Sequence, residues 1–448
     1  MESSEQDLVC LGYGRITGRV RMRKQLIGLL ILTAGSAYSP AVVIADPPPP
    51  PTLTLVEAVD RARRDNPQLQ SLRAQWEAAQ ERPAQAITLP NPMFKYSGMD
   101  QADGGTWPDT SEKRFMVEQE FPGFGKRDLR ENLARNDVDA LRWELESMTR
   151  EVILKVKENF FDLYALQQVI GITRKEDRVL QRMAKIAETM YSTGERTQQD
   201  VLKAQAEITL LKQRLLELDA QENTLKGNLN TLLNRRADAP LNVTAPLMET
   251  HFNGSLENLF TWAATNRPEI QAAQSQIERS DLETKLMARE SVPDYRLGLE
   301  YRDIADSPDL VMFTIGIELP VWQSKYRAGV REAEIMKAAR QADRETAERN
   351  SARDVQDAHF KLQTARRQLE LYKTELIPQA EARFNASETG YQTGKVDFMD
   401  HLESQRFLLN VRVMAAMAEG NVGIQLARLE QAVGIELIPA PKSGENGK

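Results

Sequence analysis

Cysteine is nearly missing: Cys10 is the one thiol in 448 residues. An intrachain disulfide, a thiolate cluster and a Cys-x-x-Cys redox pair are therefore impossible. Histidine is almost as scarce. His251, His359 and His401 stand far apart, and a histidine zinc site would need all of them to converge. Aromatic residues make up 6%, low for an enzyme with a large mixed core. The body of the chain has no strongly basic stretch and the net charge is −7, which argues against nucleic acid as a partner. No zinc-protease, nucleophile-elbow or phosphate-loop motif occurs. Residues 390–396 (GYQTGKV) come nearest to a phosphate loop, but they are one residue short and lack the Ser/Thr. Gly12-Tyr13-Gly14 is followed by Gly18, misspaced for a dinucleotide fingerprint. The chain reads as no enzyme, with no cofactor and no metal site of its own.

What is present points to long helices. Hydrophobic residues are 41% and charged residues 27%, enough to bury a large core. Ala, Gln, Glu, Leu and Arg dominate long stretches nearly free of Gly and Pro. The N-terminus reads as an export signal. Met22, Arg23 and Lys24 are basic or initiating, and 26–34 (LIGLLILTA) is an apolar run too short to span a bilayer, which takes about 20 residues. Cleavage is expected after Ala45. Residues 1–21 lack signal character, and Met22 reads as the start. Residues 46–52 are a proline-rich spacer of polyproline type. Beyond the signal there is no apolar run of about 18 residues, so no transmembrane helix is expected.

The rest is an internal duplication. Asn66-Pro67-Gln68-Leu69 matches Arg267-Pro268-Glu269-Ile270, and Leu89-Pro90-Asn91-Pro92 matches Val292-Pro293-Asp294. Glu120-Phe121-Pro122 matches Glu318-Leu319-Pro320, and Tyr191-Ser192-Thr193-Gly194 matches Tyr391-Gln392-Thr393-Gly394. Asp200-Val201-Leu202 and Gln205 match Asp400-His401-Leu402 and Gln405. These anchors keep their order at an offset near 200, so the repeated unit is of domain size rather than a solenoid turn. The first repeat spans 53–236, a linker 237–255, the second repeat 256–436 and a tail 437–448. Each repeat reads as a short helix, a second helix after its proline (67–89; 268–291), two strands, a very long helix, a tight turn and a last helix (197–234; 397–434).

The strands fall near 93–99, 114–121, 294–302 and 311–319. Tyr295, Leu297, Leu299 and Tyr301 alternate with Arg296, Gly298, Glu300 and Arg302, and Val311, Phe313, Ile315, Ile317 and Leu319 alternate with Met312, Thr314, Gly316 and Glu318. A period of two marks strands with one apolar and one polar face. Each is about as long as a transmembrane β-strand, 9–11 residues. Four strands cannot close a barrel, and lipid does not tolerate an open sheet edge. Strands in a membrane would therefore have to be shared among chains, three of which give twelve strands. The long helix 126–190 would reach roughly 98 Å. The two shorter helices of a repeat, laid end to end, match that length. Leu141, Leu145, Met148, Val152, Val156, Phe160 and Leu163 recur at steps of three and four, as in a packed seam.

This ordered set resembles the TolC-type outer-membrane factors, the exit ducts of Gram-negative tripartite efflux and type I secretion systems. The resemblance rests on residues 53–58 (LTLVEA) with Asn66-Pro67, on Leu89-Pro90-Asn91-Pro92, on 121–127 (FPGFGKR), on the two Tyr-x-x-Gly turns and on 429–434 (LEQAVG). It covers nearly all of 53–436. It implies a mainly α fold with a small β part, in which a long coiled-coil barrel joins four transmembrane strands per chain and a homotrimer completes a twelve-stranded barrel in outer-membrane lipid. It implies partners too: a periplasmic adaptor (membrane fusion protein) and an inner-membrane pump of the resistance-nodulation-division type. Pro-Asn-Pro and Gly-Lys-Arg look most like the branch serving metal-cation resistance pumps, with heavy-metal cations as cargo. The rival reading is a periplasmic coiled-coil adaptor or scaffold with a soluble β domain. The resemblance also places the closed, adaptor-contacting end at the tips, which here carry Tyr191, Thr193, Gly194, Tyr391, Thr393 and Gly394. Asp200, Asp397 and Asp400 are the pore-gate candidates. By spacing alone, Thr197 with Asp200 and Asp397 with Asp400 form N-cap pairs opening the last helices.

Overall fold

The computed structural model describes residues 52–99, 112–244 and 254–437. The expected signal, residues 46–51 of the spacer and the tail beyond 437 lie outside the described residues.

Each repeat begins with helices whose starts are written in the sequence. β1 (Thr52–Leu53) leads into α1 (Leu55–Asp65). Thr54 opens α1 with a capping box: its hydroxyl accepts from the Glu57 amide, and the Glu57 carboxylate accepts the Thr54 N–H at 3.0 Å. α2 (Pro67–Ala79) starts on Asn66, whose Oδ1 accepts from the amides of Gln68 and Leu69 at 2.9 and 3.3 Å. The continuous helix expected over 67–89 is broken, and α3 (Arg82–Ile87) is a separate turn and a half. Pro83 is the cause. It has no amide to give the carbonyl of Ala79, and its ring crowds that carbonyl. In the second repeat the matching region is α6 (Leu256–Asn266) and an unbroken α7 (Pro268–Arg289). The linker contributes β4 (Asn242–Val243), which pairs in parallel with β1, a small sheet the sequence reading lacks.

The long helices differ between repeats. α4 (Lys126–Ser192) runs for 67 residues without interruption, about 100 Å. Its counterpart is three pieces: α8 (Gln323–Leu371), a π turn over Tyr372–Leu376, and α9 (Ile377–Gln392). Pro378 is the second residue after the π turn. A wider turn removes the clash that a proline makes with the carbonyl four residues back. The last helices are α5 (Gln198–Leu232) and α10 (Phe398–Val433). α4 packs against α5 and α10 on the side of the tips and against α7 toward the sheet, while α8 packs against α10 and α7. The helices thus form one layer, two shorter stretches continuing each other beside each long one. The seam on α4 is where the 3–4 spacing puts it: Val152, Val156, Phe160 and Leu163 are fully buried in the first core, with Leu145 and Met148 packed against it.

The strands β2 (Met93–Met99), β3 (Glu112–Phe121), β5 (Tyr295–Ile304) and β6 (Leu310–Ile317) form one antiparallel sheet in the order β2-β3-β5-β6. The β3–β5 pair joins the two repeats, and β2 and β6 are left as open edges.

Candidate functional site at the helix tips

The two tips share one backbone. At the first, the Gly194 N–H donates to Tyr191 O (3.0 Å) and the Glu195 N–H to Met190 O (2.9 Å). At the second, the Gly394 N–H donates to Tyr391 O (3.1 Å) and the Lys395 N–H to Gly390 O (2.9 Å). Both are Schellman turns closing a helix. Gly194 and Gly394 sit at φ of 76° and 73°, a left-handed conformation that costs a residue with a β-carbon about 1–2 kcal/mol. Thr193 and Thr393 are the C-caps, and each hydroxyl donates to the preceding carbonyls.

The capping aspartates divide. The Asp397 carboxylate accepts the Asp400 N–H at 2.8 Å and caps α10. Thr197 stands at the N-cap of α5, but its hydroxyl caps nothing; the Asp200 amide bonds the Thr197 carbonyl instead. The first pair is therefore not the side-chain cap expected from spacing. Asp397 and Asp400 are exposed and Asp200 is half-buried.

The tyrosines divide more sharply. Tyr191 is 47% exposed and Tyr391 2%. Tyr391 lies in an apolar cluster with Leu180, Met183, Ala187, Ala204, Leu211, Phe398 and Leu402, drawn from α4, α5 and α10. The Phe398 ring meets it edge-on at 5.6 Å, and His401 stacks on it at 5.5 Å. The Arg196 guanidinium lies 5.2 Å over its face, and the same side chain donates to Val396 O at 3.0 Å, tying the first tip to the second. Burial, with the Asp200 carboxylate adding to it, holds the Tyr391 hydroxyl in its protonated form well into the basic range, though Arg196 pulls the other way. Arg196, Phe398 and His401 are absent from the sequence-based candidates. Phe384, Tyr391 and Phe398 recur at intervals of seven across the turn, while the first tip has Ala184, Tyr191 and Gln198. That contrast was the available signal.

At the other end of α4 the helix layer meets the sheet. Lys126 is buried, with Nζ 2.9 Å from Asp294 and 3.6 Å from Glu290. Asp294 also accepts the Gly123 N–H at 2.6 Å. Burial pushes the Asp294 carboxyl up, but Lys126 and the Gly123 amide outweigh it and hold it below the usual range.

Register sorts the sheet into two faces. One carries Phe94, Phe115, Val117, Leu297, Leu299, Val311, Phe313 and Ile315; Phe313 is 64% exposed and Ile315 62%. The other carries ion pairs: Lys95–Glu118 (3.7 Å), Arg114–Glu112 (2.7 Å), Arg296–Glu120 (3.8 Å) and Arg302–Glu300 (2.5 Å). An apolar face of this extent is not left to water in a soluble monomer. Among the described residues no group of three or more His, Cys, Asp or Glu is placed to hold a metal ion.

The family description "outer membrane efflux protein" matches this chain twice, over residues 58–235 and 260–435. The chain belongs to that family. It is an outer-membrane efflux channel. The cobalt-zinc-cadmium resistance protein CzcC of Cupriavidus metallidurans is 22% identical over 81% of this chain and 85% of its own length. The pyoverdine export outer membrane protein OpmQ of Pseudomonas aeruginosa is 21% identical over 76% of this chain and 72% of its own. Among solved structures, CusC, described for its folding and transmembrane channel formation, superposes with a TM-score of 0.73 at 16% identity, covering 85% of this chain and 92% of that one. The fold is the one expected from the resemblance, mainly α with a small sheet. The channel reading holds, and the adaptor reading finds no support.

Proposed function

We propose that three copies of the chain share one barrel and form a passive duct of a tripartite efflux system. The observation that carries this is the sheet. It has an apolar face for lipid, a charged face for water, and two unpaired edges, β2 and β6, that a bilayer would not accept. Pairing β6 of one copy with β2 of the next removes every edge and gives twelve strands, wide enough for an aqueous pore. The helix layer of each copy then supplies a third of a tunnel about 100 Å long, and the tips form its narrow end.

At that end the carboxylates of Asp200, Asp397 and Asp400 are each repeated by threefold symmetry, which makes the mouth attractive to cations. The exposed tip residues Tyr191, Thr193, Gly194, Thr393 and Gly394 face the periplasmic adaptor, whereas Tyr391, expected beside them, is packed inside the chain's own helices and offers an adaptor no surface. An inner-membrane pump of the resistance-nodulation-division type supplies the energy. The duct binds no cofactor and performs no chemistry. Likeness to CzcC favours heavy-metal cations as cargo, while likeness to OpmQ shows that related ducts serve different exports.

The test is the native mass of the mature protein after envelope fractionation and detergent extraction. Outer-membrane particles of three chains are expected. A soluble periplasmic monomer or dimer would overturn the shared barrel. Asp400→Asn and Asp200→Asn should each lower cation selectivity in planar bilayers; unchanged selectivity in inserted protein would remove them from the mouth.

A further inference from the structure

The second tip contains one titratable ring in its aromatic cluster, and the first tip has no counterpart. His401 is 2% exposed. Its ring lies between Phe384 (5.4 Å, interplanar angle 23°) and Tyr391 (5.5 Å, 12°). Its Nδ1 is 3.1 Å from the Ser387 hydroxyl, and that hydroxyl donates to Phe384 O at 2.9 Å. The serine hydrogen is thus engaged, so this network assigns the imidazole proton to Nδ1, donating to Ser387 Oγ. Nε2 is then the atom that a second proton would take. At the matched positions of the first tip stand Val201, Ala187 and Ala184, none of which titrates.

The charged groups around this ring come from four elements. α9 presents Glu388, which favours a charged imidazole, and Tyr391. The first tip and α5 bring Arg196, held over Tyr391, and Asp200, whose charge acts on the Tyr391 hydroxyl. α4 contributes Leu180, Met183 and Ala187 to the apolar cluster, with buried Glu176 a turn away, bonded by Gln405. On α10 itself Asp397, Asp400 and Glu403 are exposed. Burial outweighs Glu388 and holds His401 below the ordinary histidine range, and burial likewise raises Glu176.

We propose that His401 is a positioning residue that keeps Tyr391 seated, and that protonation of its imidazole releases the second tip and opens the channel. An imidazolium carries a full charge and a second N–H, and a ring 2% exposed between Phe384 and Tyr391, with the Ser387 hydroxyl at Nδ1, gives that charge little solvation. Leaving the sandwich satisfies the charge and strips the stacked ring from Tyr391. Each copy then shifts toward the open tip by up to about tenfold per pH unit as pH falls below the open-form pKa, ordinarily near 6.5, until the lower closed-form value is passed. The inference rests on the reading of the tips as the closed end.

The test is single-channel recording of the full-length mature protein in planar bilayers between pH 7.5 and 5. Wild type should open on acidification. His401→Phe keeps the stacking ring without the titration and should stay closed with a flat pH profile; His401→Gln, which also cannot titrate, should likewise lose the acid response. Glu176→Gln should keep the response, separating the histidine from the buried carboxyl. A wild type insensitive to pH, an acid response retained by His401→Phe, or one lost in Glu176→Gln would overturn the latch. Tyr391→Ala distinguishes this from failure of the underlying reading: if it leaves conductance at pH 7.5 unchanged, the tips are not the gate.

Discussion

The two tips have the same turn in different surroundings. Both close on a left-handed glycine with the same pair of backbone bonds, because glycine and chain geometry alone dictate that turn. What packs against it does not repeat. Tyr391 is enclosed by Phe398, His401 and Arg196, whereas Tyr191 stands half in water. Duplication has preserved the backbone and left the side-chain environments free to diverge. The tyrosine of the second tip is packed and that of the first is exposed.

The sharpest way to break this comparison is to remove the cluster. Phe398→Ala should loosen the second tip by about 3–5 kcal/mol, the usual cost of emptying a buried aromatic site. Gln198→Ala, its counterpart, should stay within about 0.5 kcal/mol. Hydrogen exchange of tip amides reads both, and equal protection losses would contradict the asymmetry. Asp294→Ala carries the next largest effect, at the opposite end of α4. It leaves Lys126 buried with only the more distant Glu290, at about 3 kcal/mol.

Acid separates the two ends of the helix layer. The folded-state carboxyl of Asp294 is depressed, so its contribution is complete above its unfolded value near 3.8 and is lost as pH falls through the lower folded one. His401 is also depressed, but it is a base: its neutral form favours the closed tip above about 6.5, and this support declines as pH falls below that value. Between about pH 6 and 4.5, therefore, exchange should quicken at the second tip while the Lys126–Asp294 joint stays protected. Simultaneous loss at both ends would contradict the assignment.

Smaller effects test the shared backbone. Gly194→Ala and Gly394→Ala should each cost about 1 kcal/mol, and equally, since both pay for the same left-handed residue. Asp397→Ala should cost about 1 kcal/mol through the lost cap on α10. Thr197→Ala should cost almost nothing, since its hydroxyl caps nothing. Thermal unfolding of the paired variants reads the difference.

The fold was largely legible in the residues. Alternation at 295–301 and 311–317 marks strands because one face meets an apolar medium and the other water. The 3–4 seam from Leu145 to Leu163 marks the buried stripe of α4, and the Tyr-x-x-Gly repeats mark the tips. Two helix interruptions were missed although Pro83 and Pro378 stand in plain view. Both lie within otherwise helical spacing, where tertiary packing decides whether a proline breaks, bends or widens the helix. The difference between the tips was the hardest to read. Tyr191 and Tyr391 share the Tyr-x-x-Gly turn, and the aromatic difference around it is Phe384 and Phe398 against Ala184 and Gln198, seven residues to either side. Phe398 and His401 become neighbours of Tyr391 only across the turn.

We infer that this outer-membrane channel is closed at its tips and that the second tip holds it closed. The most direct test is the single-channel conductance of wild type, Tyr391→Ala and Tyr191→Ala in planar bilayers at neutral pH. Wild type should pass little current, Tyr391→Ala should conduct markedly more, and Tyr191→Ala should stay near wild type. Inserted channels in which Tyr391→Ala leaves conductance unchanged, or in which both substitutions raise it equally, would contradict the account.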